Sequence, residues 1–441
     1  MAFRYNTPDP ELSIKLDNPR HLSPGHLPRY IPGETIIGVV RRTTPGAVPE
    51  ARVVVTLHGK CTSKIKIKRG NTESRYESSF NCLSAPMEPE VLFSNAPLHI
   101  PQGEGITWPF AVTIPSVVED VRRADQRKHY TLPGGSTFPP PGSFAMYSES
   151  IWTTGEQVRA SVEYYVQARI ELSHVHRGIT KKAIHTAKAP FQLRNVNIGP
   201  PITDFRLKRH QMTHMIAAYK LVPGIGELTF GQKTRQTFMT TSVPRLTFKL
   251  NVILPHTLQI ENESPIPIYL SAEPVAGSTT EIINDVPQTI VIKSFMLRLK
   301  QQTLVQAEKH SSVTSEAVNL IPNTAIGALG REVSLTVMPR TSGQSEELAQ
   351  VNLGEMLDFR MRKQGLQPTF KTYNVGRTYN LAWEVEGRIV GEKFKLGYTH
   401  QAKVLPGPSP YNEPEFERPA PRPEALPEYL ELSEAPPAYS A

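Results

Sequence analysis

The stretch YIPGETIIGVV, Tyr30 to Val40, decides the fold class. Pro32 pre-sets the φ that the second position of a turn needs, and Gly33 takes the positive φ that a type II turn needs next. The β-branched run Thr35, Ile36, Ile37, Val39 and Val40 follows at once, and such residues suit a pleated, half-buried surface. A tight turn therefore feeds straight into a strand. Upstream, Ile14 and Leu16 alternate with Ser13, Lys15 and Asp17, which predicts a short earlier strand.

Working outward, the same signal repeats. Strands are predicted at Arg52–Leu57, Ser79–Leu83, Val91–Phe93 and Gly105–Pro115. In Val158–Leu172, the residues Val162, Tyr164, Val166, Ala168 and Ile170 share one face. Ala187–Val196 gives one more. The second half follows with Pro244–Pro255, Ile266–Ala272, Thr289–Lys300, Glu332–Val337 and three strands in series over Thr369–Leu396. A shift in phase near Ser294 predicts a bulge. Tyr379, Leu381, Trp383 and Val385 echo the Tyr164 series. Phe205–Leu221 fits a helix as well as strands. Residues 119–143 read as a long surface loop, with Gly134-Gly135 and Pro139-Pro140-Pro141.

Composition agrees with an all-β chain. The 41 prolines in 441 residues are about twice the usual ~5%, which strands joined by turns accommodate better than long helices. No stretch approaches the ~20 apolar residues of a membrane span, and the first residues lack a signal-peptide core. The default compartment is then the cytosol, with Cys61 and Cys82 reduced and buried and the sequon at Asn262-Glu263-Ser264 a chance match.

Charge is uneven. Residues 404–441 hold seven glutamates against two arginines, a net of −5, which leaves +13 for residues 1–403 of a chain whose total is +8. A basic body suits an anionic membrane surface, an acidic peptide or nucleic acid, or is ordinary solubility charge. The densest basic stripe is Lys64, Lys66 and Lys68, alternating with Ile65 and Ile67: a candidate contact for an anionic surface, or the solvated outer face of a sandwich.

Catalytic chemistry is not visible. His210 and His214 have an i,i+4 spacing that would suit a metal on a helix, but no third ligand follows. His174 and His176 precede Arg177 with no carboxylate between them. There is no Gly-x-Ser-x-Gly elbow, phosphate loop or dinucleotide fingerprint, and no aromatic-basic platform for nucleic acid. The expectation is a protein without enzymatic activity, cofactor or metal.

From Leu405 apolar periodicity vanishes and no lysine follows Lys403. Such a segment should be a disordered, polyproline-II-biased tail. It carries Pro436-Pro437-Ala438-Tyr439. A three-residue repeat sets Pro436 and Tyr439 on one edge, suited to the aromatic groove and second pocket of a WW domain. Leu426-Pro427-Glu428-Tyr429 is a weaker variant, and two sites would add avidity.

The Tyr30-Ile31-Pro32-Gly33-Glu34 turn, the proline-stopped strands at Pro115 and Pro255, the series Thr369-Phe370-x-Thr372-Tyr373-Asn374-Val375 and Tyr379-x-Leu381, and Val404-Leu405-Pro406 together resemble fungal α-arrestins, over about residues 8–406. The resemblance implies two tandem β-sandwich domains, over 1–196 and 204–405, with a linker at 197–203 and the tail over 406–441. It favours strands for Phe205–Leu221. It also implies a cytoplasmic adaptor recruited to the plasma membrane or endosomes. There it would bind cytosolic segments of membrane transporters or receptors and bring a WW-domain-containing HECT ubiquitin ligase through Pro436, Pro437 and Tyr439, with Leu426, Pro427 and Tyr429 as the weaker site. Only these tail residues match the family's ligase-binding pattern. The tail is shorter than in many relatives, and no buried ion-pair core of the visual-arrestin kind is identified. On this reading Lys371, Lys393 and Lys395 lie within the tail's reach as ubiquitin acceptors. An arrestin-fold sorting or signalling scaffold without a ligase is the alternative.

Overall fold

A computed structural model of the chain describes residues 12–17, 26–83, 88–119, 137–149, 155–176, 179–197, 199–238, 243–275, 277–337, 350–362 and 365–408. In the first half the strands are β1 (Leu12–Leu16), β2 (Arg29–Tyr30), β3 (Thr35–Arg42), β4 (Gly46–Arg69), β5 (Thr72–Asn81), β6 (Glu90–Ile100), β7 (Ile106–Thr113), β8 (Val118–Glu119), β9 (Thr137–Phe138), β10 (Phe144–Glu149), β11 (Glu156–His176) and β12 (Ile179–Leu193). The second half supplies β13 (Leu207–Ala217), β14 (Arg245–Pro255), β15 (Thr257–Gln259), β16 (Tyr269–Pro274), β17 (Gln288–Ala307), β18 (His310–Ile321), β19 (Val333–Val337), β20 (Val351–Asn352), β21 (Phe370–Lys371), β22 (Val375–Ile389) and β23 (Glu392–Leu405).

Each half is a sandwich of two sheets. In the first, a sheet in the order β2-β12-β11-β4-β5, extended by β6 on β4 and β10 on β11, packs on the sheet β1-β3-β7. In the second, β13-β14-β16-β20 packs on β15-β23-β22-β17-β18, with β19 on β17 and β21 on β22. The two cores are separate apolar clusters. The inward faces are the ones alternation marked: Val162, Tyr164, Val166, Ala168 and Ile170 on β11, and Ile290, Ile292, Phe295, Leu297 and Leu299 on β17, are all buried. Each Val, Ile, Leu or Phe among them contributes roughly 1.5–3 kcal/mol by leaving water.

The opening turn takes the expected form. Gly33 has φ of 84°, Glu34 N–H donates to Ile31 O at 3.2 Å, and the Glu34 carboxylate accepts from Ile31 N–H at 2.9 Å. Tyr30 is buried, its ring edge-on to Phe191, and its hydroxyl donates to Asp17 O at 2.9 Å. The bulge on β17 lies between Ile292 and Ser294. Both cysteines are buried and unbridged.

Some elements differ from expectation. β5 and β6 are longer than the short strands predicted there, because much of each lies on exposed surface where no apolar pattern is required. Residues 205–221 resolve into the edge strand β13 and a single 3-10 turn at Tyr219–Leu221. The expected long loop is closed at its base by β8 pairing with β9; residues 120–136 lie outside the described residues. A helix, α1 (Phe230–Phe238), has no counterpart in the apolar pattern. It is set by a reciprocal cap: Thr229 N–H donates to Gln232 Oε1 at 2.9 Å and Gln232 N–H to Thr229 Oγ1 at 3.3 Å.

Candidate functional site

The joint between the sandwiches is built by two turns of the second half entering the first. The β17–β18 hairpin turns at Glu308, with φ of 54°. It carries Val305 and Ala307 into the first sandwich's core, and Val375, the first residue of β22, joins them. An apolar side chain here completes a neighbour's core, so the two halves share buried surface.

Polar groups in this turn are satisfied across the joint. Asn374 donates through Nδ2 to Ser63 Oγ at 2.9 Å, with Ser78 O at 3.3 Å and Cys61 O at 3.4 Å. Ser63 in turn donates to Gln306 O at 2.5 Å. Glu308 N–H donates to Ser78 Oγ at 2.8 Å. Rings flank the network: Tyr76 stacks on His310 with centroids 3.6 Å apart, and Phe80 meets Tyr373 at 5.3 Å. Thr372 Oγ1 accepts from Val375 N–H at 3.0 Å and holds the turn.

Beside this joint lies a cleft of about 1620 Å³, walled by both sandwiches. Arg29, Lys188 and Arg194 line it from the first, and Glu316, Gln367 and Arg377 from the second. Arg377 is only 7% exposed. Its guanidinium donates twice to Thr303 Oγ1, at 3.3 and 3.1 Å, and lies 4.7 Å from the centre of the Phe144 ring. Burial pulls its pKa down, and Tyr379 and Glu316 push it back up. Tyr379 is itself pushed up to about 12, chiefly by burial. At the rim Arg194 pairs with Glu261 at 2.6 Å. Asn197 N–H donates to Gly407 O at 2.8 Å, which ties the linker to the root of the tail.

The two sandwiches repeat one device here. Tyr164 donates to Pro141 O at 2.5 Å, and Tyr379 to Gln367 O at 2.5 Å. In each case a buried tyrosine on a central strand tethers the loop that precedes it.

Of the residues singled out from sequence, Pro436, Pro437 and Tyr439, with Leu426, Pro427 and Tyr429, lie outside the described residues. Lys64 and Lys66 are on β4, but each is ion-paired to β5: Lys64 with Glu77 at 2.9 Å and Lys66 with Glu73 at 3.4 Å. Lys68 is exposed opposite Glu73 in the register. Ile65 is buried behind them. Lys371 and Lys393 are exposed; Lys395 sits between Glu384 at 2.6 Å and Glu386 at 3.0 Å. His210 and His214 lie on a strand, so their spacing puts both on its inner face; His210 stacks on His400 at 4.3 Å and His214 packs against Phe394. Among the described residues no group of three or more His, Cys, Asp or Glu is arranged to hold a metal ion, and no helix is long and apolar enough to cross a membrane.

Sequence reasoning gave Asn374, Ser63 and Ser78 no role. Asn374 stands inside the quoted Thr369–Val375 series, and a polar residue between strands reads as an ordinary turn until its partners, some three hundred residues away, are placed.

No family model matches the chain, and no curated protein matches it.

Proposed function

We propose that the chain is a non-enzymatic, arrestin-like adaptor. Its two linked sandwiches bind cytosolic segments of membrane transporters or receptors, and Pro436-Pro437-Ala438-Tyr439 recruits a WW-domain HECT-type ubiquitin ligase, so that bound cargo is ubiquitinated and internalised. The observation that carries the reading is the Pro-Pro-x-Tyr motif on an acidic, lysine-free segment that leaves a two-sandwich body at Pro408. Such a layout separates a rigid docking surface from a recruiting arm. Residues 64–77 of the β4–β5 hairpin keep a net +3, from Lys64, Lys66, Lys68, Arg69 and Arg75 against Glu73 and Glu77, and are the surface offered to anionic headgroups.

The test is binding of the full chain, and of a peptide spanning 404–441, to WW domains of a HECT ligase. Micromolar binding lost on Tyr439→Ala and weakened on Tyr429→Ala supports the recruiting arm. No binding to any WW domain removes it and leaves a sorting scaffold.

A further inference from the structure

β13 and β23 run along one open side of the second sandwich. β13 ends its sheet and pairs only with β14. On the other sheet β15 covers β23 only at Lys403–Leu405. Two strand edges are therefore uncovered among the described residues, and each carries backbone groups able to accept a further strand.

Beyond Glu392 at the start of β23, the seam between them contains cations and no anions. Over Leu207–Ala217 and Lys393–Leu405 there is no Asp or Glu, but Lys208, Arg209, Lys393, Lys395 and Lys403 are present. The carboxylates nearest in the chain are already used: Glu392, which opens β23, accepts from Gln236 Nε2 at 2.7 Å. Glu384 and Glu386 hold Lys395, Glu273 accepts from Gln211 and Asn251, and Asp204 accepts from Arg206 N–H.

Inside the seam three imidazoles gather. His210 on β13 stacks on His400 of β23 at 4.3 Å and meets Tyr398 at 5.2 Å; His256 follows β14 and accepts at its carbonyl from Lys403 N–H. His210 Nε2, His256 Nδ1 and His400 Nδ1 are buried without a hydrogen-bond partner among the described residues. Lys208 and two open strand edges, with these buried imidazoles behind them, suit an extended, carboxylate-bearing segment.

We propose that this seam is occupied by residues 428–434 of the chain's own tail, paired along the free edge of β13. Three observations select that occupant. The tail carries the opposite charge, seven Glu against two Arg. Glu428–Ala435 (EYLELSEA) is its longest proline-free run, and proline would interrupt a ladder; the run holds Glu428, Glu431 and Glu434 and no cation. Reach suffices: the twenty residues from Pro408 to Glu428 span up to roughly 66 Å extended, and β13 is about 37 Å long. The docking does not rest on the ligase reading, but one consequence does: it covers Tyr429 and leaves Pro436–Tyr439 free, so the weaker WW site is opened only when the seam is vacated.

Carboxylate docking also favours protonated imidazole. The groups facing His400 are His210, His256, Lys208 and the Pro255 carbonyl, and only the last favours its charge. Because the His400 ring sits at about 4 in the fold, the gain in occupancy comes as pH falls from 6.5 toward 5, not above it.

Zero-length carbodiimide crosslinking of the full-length chain, read by mass spectrometry, tests this. No lysine follows Lys403, so every link from a tail glutamate ends on the body. The expected links join Glu428, Glu431 or Glu434 to Lys208 and Lys403, at a yield independent of protein concentration. Hydrogen exchange of the β13 amides is the second readout. It speeds up at least fivefold in the Glu428→Gln/Glu431→Gln/Glu434→Gln variant, and the pH dependence of protection flattens in His400→Phe. Links scattered over exposed lysines, links only between molecules, or β13 exchange unchanged by the triple variant would each overturn the proposal. WW binding through Tyr439 is unaffected by any of these results.

Discussion

Asn374 and Ser63 stand 311 residues apart in the chain and meet at 2.9 Å, both buried in the joint. Each also satisfies a second group on the opposite sandwich, so losing either side chain strands a buried partner.

Asn374→Ala removes the donor that Ser63 Oγ, Ser78 O and Cys61 O share. Leaving a buried polar group unpaired costs about 1–3 kcal/mol. Urea denaturation of the full chain should show that loss. Stability unchanged in the variant would mean water takes the amide's place at no cost.

Three glycines face an aromatic ring across a strand pair, where a Cβ would collide with it. An added Cβ lies 2.8 Å from Phe110 at Gly38, 2.7 Å from Tyr164 at Gly59 and 2.5 Å from Phe394 at Gly387. Gly59→Ala must displace both Tyr164 and Leu83 in a packed core, at about 1–3 kcal/mol. Thermal denaturation of Gly59→Ala against Gly226→Ala, where nothing lies within 4 Å, separates crowding from chain stiffening: the first should lower the midpoint and the second should not.

The histidine seam makes stability depend on pH. Burial, then His210, brings His400 down from 6.5 to about 4, and burial with Lys208 lowers His210 as well. Above pH 6.5 both rings are neutral in the folded and unfolded chain. As pH falls from 6.5 toward 4 the unfolded chain binds protons that the fold resists, so stability declines across that window. The urea midpoint should fall between pH 7 and 5, and less steeply in His400→Phe. Equal slopes in both proteins would remove His400 as the cause.

Within the adaptor reading, ubiquitin acceptors should rank by amine availability. Glu384 and Glu386 raise the pKa of Lys395, which lowers the fraction of neutral, nucleophilic amine. Mass spectrometry of ligase-treated protein should find Lys371 or Lys393 modified ahead of Lys395. Modification confined to the first sandwich would contradict the tail-reach argument altogether.

Strands were legible wherever one face is apolar and the other is not. The Tyr30–Val40 turn and strand, the bulge beside Ser294 and the Tyr379 series all follow from period two. β13 was ambiguous because its inner face carries His210, Met212 and His214, which fit a helical stripe as well. α1 was missed because its polar residues dock it, although Thr229-x-x-Gln232 was there to be read as a cap. The joint was illegible for another reason. Asn374, Ser63 and the glycine–aromatic pairs acquire meaning only from register and long-range placement, and a single sequence gives neither. The tail motif was the easiest feature to find, and it lies outside the described residues.

Val305, Ala307 and Val375 complete the core of a sandwich whose own strands end at Leu193. During synthesis the first sandwich therefore leaves the ribosome with a hole in it. It must wait with apolar surface uncovered until the chain has been translated past Val375. A truncation between the two halves would release a protein in that unfinished state, prone to aggregate and dependent on chaperones.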